Sequence, residues 1–314
     1  MTAQAPNWYK ELIRAQIRER NKVRGGLLDD TMTRGDGGAG KIKFPVVGGE
    51  ILIYKLSGAI QKVKTSSPSL SMVEVAAEDF EGAAWMRVQD FRKQGPSEQS
   101  AVGKEMQKAI RFKRDTLKID AMNAFATNGS SLPDAPTTID TIGDGTTTID
   151  LIDVIQARSA IAGTGSEEDI YYPIPEAWMD QLEMYKEFSN MDYIGDKDMP
   201  FARMSNVRKR TFRGVHLFTL PDKYFYLGTG KFGSGSGNLP YDTDGYLDTF
   251  MWTKDAMGAE MEWNQEDMSI SMHPEMEGTP MLGKVGLSGA AVGILPEGVK
   301  RLRFKAQHRA TRPA

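Results

Sequence analysis

The run Pro96–Asn128 (PSEQSAVGKEMQKAIRFKRDTLKIDAMNAFATN) restricts most strongly what this chain can fold into. Pro96 and Ser97 supply a helix start and Gly129 a stop. No proline lies between them, and Gly103 is the only glycine. At ~1.5 Å per residue, about 30 residues make a rod on the order of 45 Å long. That is well beyond the usual roughly three or four turns. Val102, Met106, Ala109, Ile110, Leu117, Ala121 and Ala124 fall at helical spacing and predict one apolar face. Phe112, Ile119, Met122 and Phe125 widen that face toward the C-terminal end. Lys104, Lys108, Arg111, Arg114, Asp115 and Lys118 spread over the remaining surface. Two readings are open for such a rod. It is the core helix of an α/β enzyme, or a spine with one face on a thin domain and the other on neighbouring subunits.

Composition narrows the function classes. The 314 residues suit one large domain or two modest ones. Cysteine is absent, which removes disulfides, thiolate metal sites and cysteine nucleophiles together. The three histidines (His216, His273, His308) lie far apart, with no HExxH or HxH, so no histidine-based metal site is expected. No run of about 18 apolar residues predicts a transmembrane helix. The N-terminus shows no apolar secretory core. A net charge of −3 gives no whole-protein attraction to nucleic acid.

Before the long helix the pattern changes several times. Asn7–Arg24 predicts a basic helix, either solvated or an arm docked on a neighbour or near nucleic acid. Gly25–Gly40 (GGLLDDTMTRGDGGAG) is a linker by composition, and its Arg34-Gly35-Asp36 tripeptide is too short to carry meaning. Lys41–Val75 alternates as strand, with Gly48-Gly49 and Thr65–Ser69 as breaks. It has few large apolar groups, so this long hairpin is expected to bury little in its own chain and to need a partner. Within Ala76–Lys93, Phe80, Trp85 and Val88 are candidate core residues.

After the helix, Leu151–Ala162 predicts a helix ended by Gly163, and Ile170–Pro173 a buried strand. Glu176–Phe188 reads as one amphipathic helix, and Arg210–Leu220 as a strand pair joined at Gly214. Further strands are expected in Asp248–Asn264, Met268–His273 and Gly298–Phe304.

Candidate chemistry is sparse. Gly228-Thr229-Gly230-Lys231 lacks the spacing and ending of a phosphate loop, and Asp242-Thr243-Asp244-Gly245 lacks the later ligands of a calcium loop. No GxSxG occurs. Lys300, Arg301, Arg303, Lys305, His308, Arg309 and Arg312 make the C-terminus basic, as a solvated strand face or as a nucleic-acid or partner contact.

Several stretches resemble the major capsid proteins of tailed phages with the Hong Kong 97-like fold. FPVVGGEILIYKLSGAIQKVK resembles that family's extended loop. VEVAAEDFEGAAWMRVQDFRKQ with AIRFKRDTLKIDAMNAF is similar to the approach to, and passage along, its spine helix. There an Arg and an Asp commonly precede an apolar ending by about one turn, here Arg114 with Asp115 or Asp120. DIYYPIPEAWMDQLEMYKEF resembles the strand-then-helix of the axial domain. YLDTFMWTKDAMGAEM and SGAAVGILPEGVKRLRF resemble the closing strands.

The resemblance implies an α+β fold: an N-terminal arm (1–40), an extended β-hairpin loop (41–80), a peripheral domain with the spine helix (81–148 and 256–294), an axial domain (149–255 and 295–306) and a tail (307–314). It implies a structural protein without catalysis, cofactor or metal. Pentamers and hexamers of this one chain would form the icosahedral virion shell around double-stranded DNA, with portal, scaffold and decoration proteins as partners, no membrane, and assembly in the host cytoplasm. Residues expected to meet neighbouring subunits are Phe44, Val46, Ile51, Ile53, Tyr54, Lys62, Leu70 and Met72; those expected to face DNA are Lys10, Arg14, Arg18, Lys104, Lys108 and Arg111. The rivals are a cargo-enclosing nanocompartment shell of the same fold, and a soluble α/β enzyme with a site near Gly228–Gly245.

Overall fold

The long helix, α1, spans Ser97–Asn128, and Gly129 (φ 76°) follows it with its N–H on the Phe125 carbonyl at 2.8 Å. It belongs to a computed structural model that describes residues 25–38, 40–48, 53, 68–86, 97–132, 138–189, 208–227, 230–231, 245–260, 267–273, 275–277 and 280–306. Contacts divide the chain into two units. One holds the described residues within 1–27, 78–116 and 261–289. The other holds those within 28–77, 117–260 and 290–314.

In its C-terminal half α1 buries Ile119, Met122 and Phe125 as expected, but not the whole of the expected stripe. Met106, Ile110, Ile119, Met122, Phe125 and Ala126 are buried. Ala109 and Ala124 are exposed, and Leu117 and Ala121 are half-buried. Leu117 and Ile119 sit about 200° apart around a helix, so the apolar stripe runs through Ile119 rather than Leu117. Polar side chains disguised it, because Asp115 (0% exposed), Thr116 and Lys118 (4%) are buried too.

In the first unit, strands β4 (Glu78–Met86) and β13 (Asp267–Met272) pair antiparallel with the two edges of β14 (Met281–Gly293), in registers from Met281↔Met86 to Gly289↔Glu78 and from Met281↔Met272 to Gly286↔Asp267. The Lys113 ammonium lies 4.1 Å from the centre of the Phe80 ring. Trp85, expected in the core, is 53% exposed, and Val88 lies outside the described residues. Gly25 approaches α1 so closely that a Cβ there would stand 2.3 Å from the Phe112 nitrogen; its φ of 67° adds a second reason for glycine. Next to it, the Leu27 N–H donates to Asp115 Oδ2 at 2.9 Å.

The second unit is built on a mixed eight-stranded sheet. Its centre is β11 (Tyr246–Thr253). Strand β15 (Val299–Lys305) lies antiparallel along one edge of β11, while β9 (Tyr226–Leu227) and β6 (Ile170–Pro175) share the other. Beyond them lie β8 (Val215–Leu220), parallel to β6, its hairpin partner β7 (Lys209–Phe212), β10 (Gly230–Lys231) on β9, and β5 (Thr141–Ile142), parallel to β15. All six residues of β6 are buried, as a strand covered on both faces requires. Arg213 and Gly214 both take positive φ, the conformation that closes a two-residue hairpin without splaying its strands.

Helix α2 (Leu151–Ala162) turns Leu151, Val154, Ala157 and Ile161 inward and starts with a capping box of Asp150 and Asp153. The helix expected over Glu176–Phe188 is two helices, α3 (Glu176–Glu183) and α4 (Lys186–Ser189), interrupted at Met184 and Tyr185. Trp178 of α3 packs edge-on to Phe304, with centroids 5.8 Å apart. Strand β12 (Met257–Glu260) pairs with the last four residues of β14.

Residues 25–40 are not a linker where they are described. Leu28 (0%), Thr31 (0%) and Met32 (5%) are core residues of the second unit. The Lys118 ammonium donates to the Leu28 carbonyl at 3.1 Å and to Asp29 Oδ1 at 2.8 Å. The Trp252 indole N–H donates to the Thr31 carbonyl at 3.0 Å. Gly35 of the Arg-Gly-Asp tripeptide is fixed by packing: a Cβ would stand 2.6 Å from Ile42 Cγ2.

Strands β1 (Asp36–Gly38), β2 (Lys41–Gly48) and β3 (Ser69–Ala76) form an antiparallel sheet of their own. Its base packs within the chain, contrary to the expectation that it buries little there. Ile42, Phe44 and Val73 form one buried cluster with Ala290 and Ile294. Phe44 presses on Gly258, where a Cβ would stand 2.4 Å from its ring.

Two stability tests follow from this packing. Asp115→Ala leaves the buried Leu27 N–H without its acceptor and should cost about 1–3 kcal/mol, read as a lower urea midpoint at unchanged slope. Phe44→Ala should cost about 3–5 kcal/mol in the same measurement.

Candidate functional site

The β2–β3 hairpin has two different faces, set by strand alternation. Register places Ile42 opposite Val75, Phe44 opposite Val73 and Val46 opposite Ser71 on the inner face. On the outer face stand Lys41 opposite Ala76, Lys43 opposite Glu74, Pro45 opposite Met72 and Val47 opposite Leu70. The inner face is anchored in the core cluster, with Val46 and Val75 packed against it. The outer face exposes Val47 (68%), Leu70 (81%) and Met72 (53%). Toward the base, Glu74 lies 3.0 Å from the Lys41 ammonium and 3.6 Å from that of Lys43. The hydrogen bond from Lys41, and then its charge, hold the Glu74 carboxyl below its usual range. One strand pair thus carries a distal apolar stripe and a proximal charged one, both open to solvent.

The residues expected to meet neighbours therefore separate. Leu70 and Met72 lie on the open face, and Ile53 is 98% exposed. Val46 is half-buried against its own core. Phe44, only 3% exposed, is corrected outright: its ring is enclosed by its own chain and offers nothing to another. Ile51, Tyr54 and Lys62 lie outside the described residues.

Of the residues expected to face DNA, Lys10, Arg14 and Arg18 also lie outside the described residues. Lys104 and Arg111 are exposed on α1. Lys108 is half-buried, with its ammonium 3.5 Å from Glu105 one turn earlier. The basic C-terminal strand is already committed inside the chain. Lys300 is 5% exposed and bonds Asp140 at 2.5 Å, while Arg303 grips Asp248 through two nitrogens at 2.7 and 2.9 Å. That bidentate bond raises the Arg303 pKa. His308, Arg309 and Arg312 lie outside the described residues.

The weak motifs resolve into backbone structure. Gly230 and Lys231 pair antiparallel with Leu227 and Tyr226 as a short strand, and residues 228–229 and 232–244 lie outside the described residues. Asp242–Asp244 lies outside the described residues. Among the described residues, no three His, Asp or Glu side chains are grouped to hold a metal, and no helix is long and apolar enough to cross a membrane.

Sequence reasoning missed an ion-pair ladder on α3. Arg208 bonds Glu176 at 2.6 Å, Asp180 at 2.5 Å and Glu183, and Arg210 reaches Glu183 at 3.4 Å. The carboxylates stand one turn apart on one face and would repel without the arginine. Their spacing was readable in the sequence, but the arginine that binds them was not.

Comparison with known proteins agrees with this fold. A family model described as phage capsid protein matches residues 5–306. The capsid structure of the cyanophage P-SCSP1u is similar at 13% identity and a TM-score of 0.62, over 92% of this chain and 90% of that one. The capsid of Ralstonia phage GP4 is similar at 9% identity and 0.62, over 92% and 94%. The capsid of an empty GTA particle is similar at 10% identity and 0.60, over 98% and 96%. No curated protein matches the sequence. At such identities the solved structures speak for the α+β fold, and the family model, spanning nearly the whole sequence, speaks for kinship. The chain belongs to the phage capsid protein family, as a major capsid protein with the Hong Kong 97-like fold.

Proposed function

We propose that copies of this chain, as pentamers and hexamers, close the icosahedral shell of a tailed-phage head around packaged double-stranded DNA. The observation that carries this reading is the two-faced hairpin. Its inner face is fastened into its own core, so its outer face is held out with Val47, Leu70 and Met72 uncovered. An isolated chain gains nothing from such a stripe, whereas a shell of identical chains covers it in every copy.

On this reading, α1 is the spine of a peripheral domain, the mixed sheet is the axial domain, and residues 41–80 are the extended loop. Residues 1–24 are the arm, since Leu27, Leu28, Thr31 and Met32 are held in the chain's own core. The exposed cations Lys104 and Arg111, with Lys108 and the arm's Lys10, Arg14 and Arg18, line the inner surface and meet DNA phosphates weakly and without sequence preference. Portal and scaffold proteins complete the particle, and assembly takes place in the host cytoplasm.

Electron microscopy of the expressed chain, with scaffold where assembly needs it, tests the proposal. Uniform large icosahedral shells are expected; compact single particles under every assembly condition would refute it. Leu70→Ser combined with Met72→Ser should leave the urea midpoint of the subunit within about 0.5 kcal/mol of the unaltered chain, as surface changes do. The same pair should reduce shell yield several-fold. Unchanged yield would show that the hairpin's outer face is not an assembly surface.

A further inference from the structure

Three polar side chains at alternate positions, at and just beyond the end of β13, form a relay that the shell reading does not use. Ser271 Oγ lies 3.0 Å from His273 Nε2, and Glu275 Oε1 lies 2.5 Å from His273 Nδ1. Each ring nitrogen thus has one partner, a hydroxyl on one side and a carboxylate on the other. The carboxylate sets the direction of the relay. Its own backbone N–H, and then the His273 ring, hold the Glu275 carboxyl below its usual range, so at neutral pH it is ionised and only accepts. Nδ1 therefore carries the ring proton, Nε2 is bare, and the Ser271 hydroxyl donates to it. A hydroxyl bonded to a base that a third group holds in one tautomer is the arrangement that makes a nucleophile.

The strands explain why these groups meet. The His273 N–H donates to the Pro280 carbonyl at 3.0 Å, which carries the β13–β14 pairing one residue past Met272. Ser271 and His273 therefore share one face of the sheet. Trp85, Leu282 and Ser271 stand in one row across β4, β14 and β13, and the Trp85 ring meets the imidazole edge-on with centroids 5.3 Å apart. Antiparallel alternation turns the Met272 N–H to the opposite edge of β13, where no described strand pairs. The residue after the serine thus offers a backbone donor toward solvent, the kind of group that holds a developing oxyanion. Ser271 is exposed and open to a reactant. His216 is also flanked, by Thr211 at 3.3 Å and Asp169 at 3.5 Å, but Thr211 is only 7% exposed.

We propose that Ser271, His273 and Glu275 form an acyl-transfer site for small carboxylic esters with an aromatic leaving group. Ser271 is the nucleophile, His273 the general base and Glu275 the positioning residue. The half-exposed Trp85 ring beside His273 is the surface on which an aromatic group stacks. Ser271 Oγ attacks the ester carbonyl carbon as its proton passes to His273 Nε2. The bond from that carbon to the leaving oxygen then breaks, and the departing oxygen takes the proton from Nε2. Water, deprotonated in turn by His273, releases the acyl group as a carboxylic acid and restores the serine. This chemistry belongs to the single subunit and does not depend on the shell reading.

A serine-directed probe tests the proposal on the unaltered full-length chain as free subunits. A fluorophosphonate exchanges its P–F bond for a P–O bond to an activated serine and releases fluoride. The adduct at each serine is measured over time by peptide mass spectrometry. Ser271 should label about ten times faster than any other serine, or more, since a positioned base accelerates attack by at least that factor. The chain should also hydrolyse p-nitrophenyl acetate. Ser271→Ala should abolish both reactions, and His273→Gln should slow both about ten-fold or more. Glu275→Gln should lower kcat and leave KM unchanged, because the carboxylate touches the ring and not the ester. Labelling spread evenly over the exposed serines would overturn the proposal. Undiminished labelling of Ser271 in the His273→Gln chain, or undiminished ester hydrolysis in the Ser271→Ala chain, would overturn it as well. Should a variant fail to fold, the labelling of the unaltered chain decides alone.

Discussion

The structure depends on how α1 deals with the charges it buries. Asp115 is fully buried and Lys118 nearly so, on a helix whose neighbouring positions are Ile119 and Met122. Buried charges are tolerated only when paired and hydrogen-bonded. Their partners include a stretch distant in sequence: the Leu27 N–H for Asp115, and the Leu28 carbonyl with Asp29 for Lys118. Losing that stretch would remove these hydrogen bonds from charges held in an apolar setting. Gly25, which fits against α1 only because it lacks a Cβ, brings the chain to the place where the bonds can form. Three consecutive residues of glycine-rich composition are thereby tied to the longest helix. Trp252 extends the attachment to Thr31 in the second unit.

With that segment fixed, the next elements inherit their positions. Met32 enters the core, and Thr33 bonds the backbone of Met257 and Ala259. Gly35 and Gly258 leave room for Phe44. The hairpin is therefore a cantilever. Its inner face is clamped at the base, and its outer face has no partner within the described chain. The division of labour is chemical: aromatic and branched groups point inward, while the outer face combines a small apolar stripe with a lysine–glutamate ladder. A subunit built this way folds with an ordinary core and still presents an apolar stripe, Val47, Leu70 and Met72, that no described part of the chain covers.

Much of this was legible in the sequence where period and punctuation agree. The bounds of α1, the whole of α2, the strand at Ile170 and the Arg213–Gly214 hairpin all follow from spacing, caps and glycines. The hairpin character of Lys41–Val75 was legible as well, but not its register of Lys41–Gly48 against Ser69–Ala76. Three things were not fully legible. Composition marked Gly25–Gly40 as a linker, because nothing local shows that its glycines serve close packing and its leucines a core. The buried face of α1 was legible only in part: Ile119, Met122 and Phe125 are buried as expected, but Asp115 and Lys118 look like surface residues until their partners are known. Trp85 and Phe44 exchanged roles: the tryptophan expected inside is exposed, and the phenylalanine expected at an interface is buried. Side-chain type states how much burial would help, but only the tertiary neighbours decide which large group receives it.

The central claim is that the subunit's core is complete within one chain while its outer hairpin face awaits another copy. Backbone hydrogen exchange, measured on the free subunit and on the assembled particle, tests it most directly. The Leu27 amide and the amides of α1 from Met106 onward should be protected in both states, since their hydrogen bonds are internal. The amides of Leu70 and Met72 should exchange quickly in the subunit and slowly in the particle. Rapid exchange at Leu27 in the free subunit, or identical exchange of Ser69–Ala76 in the two states, would contradict the account.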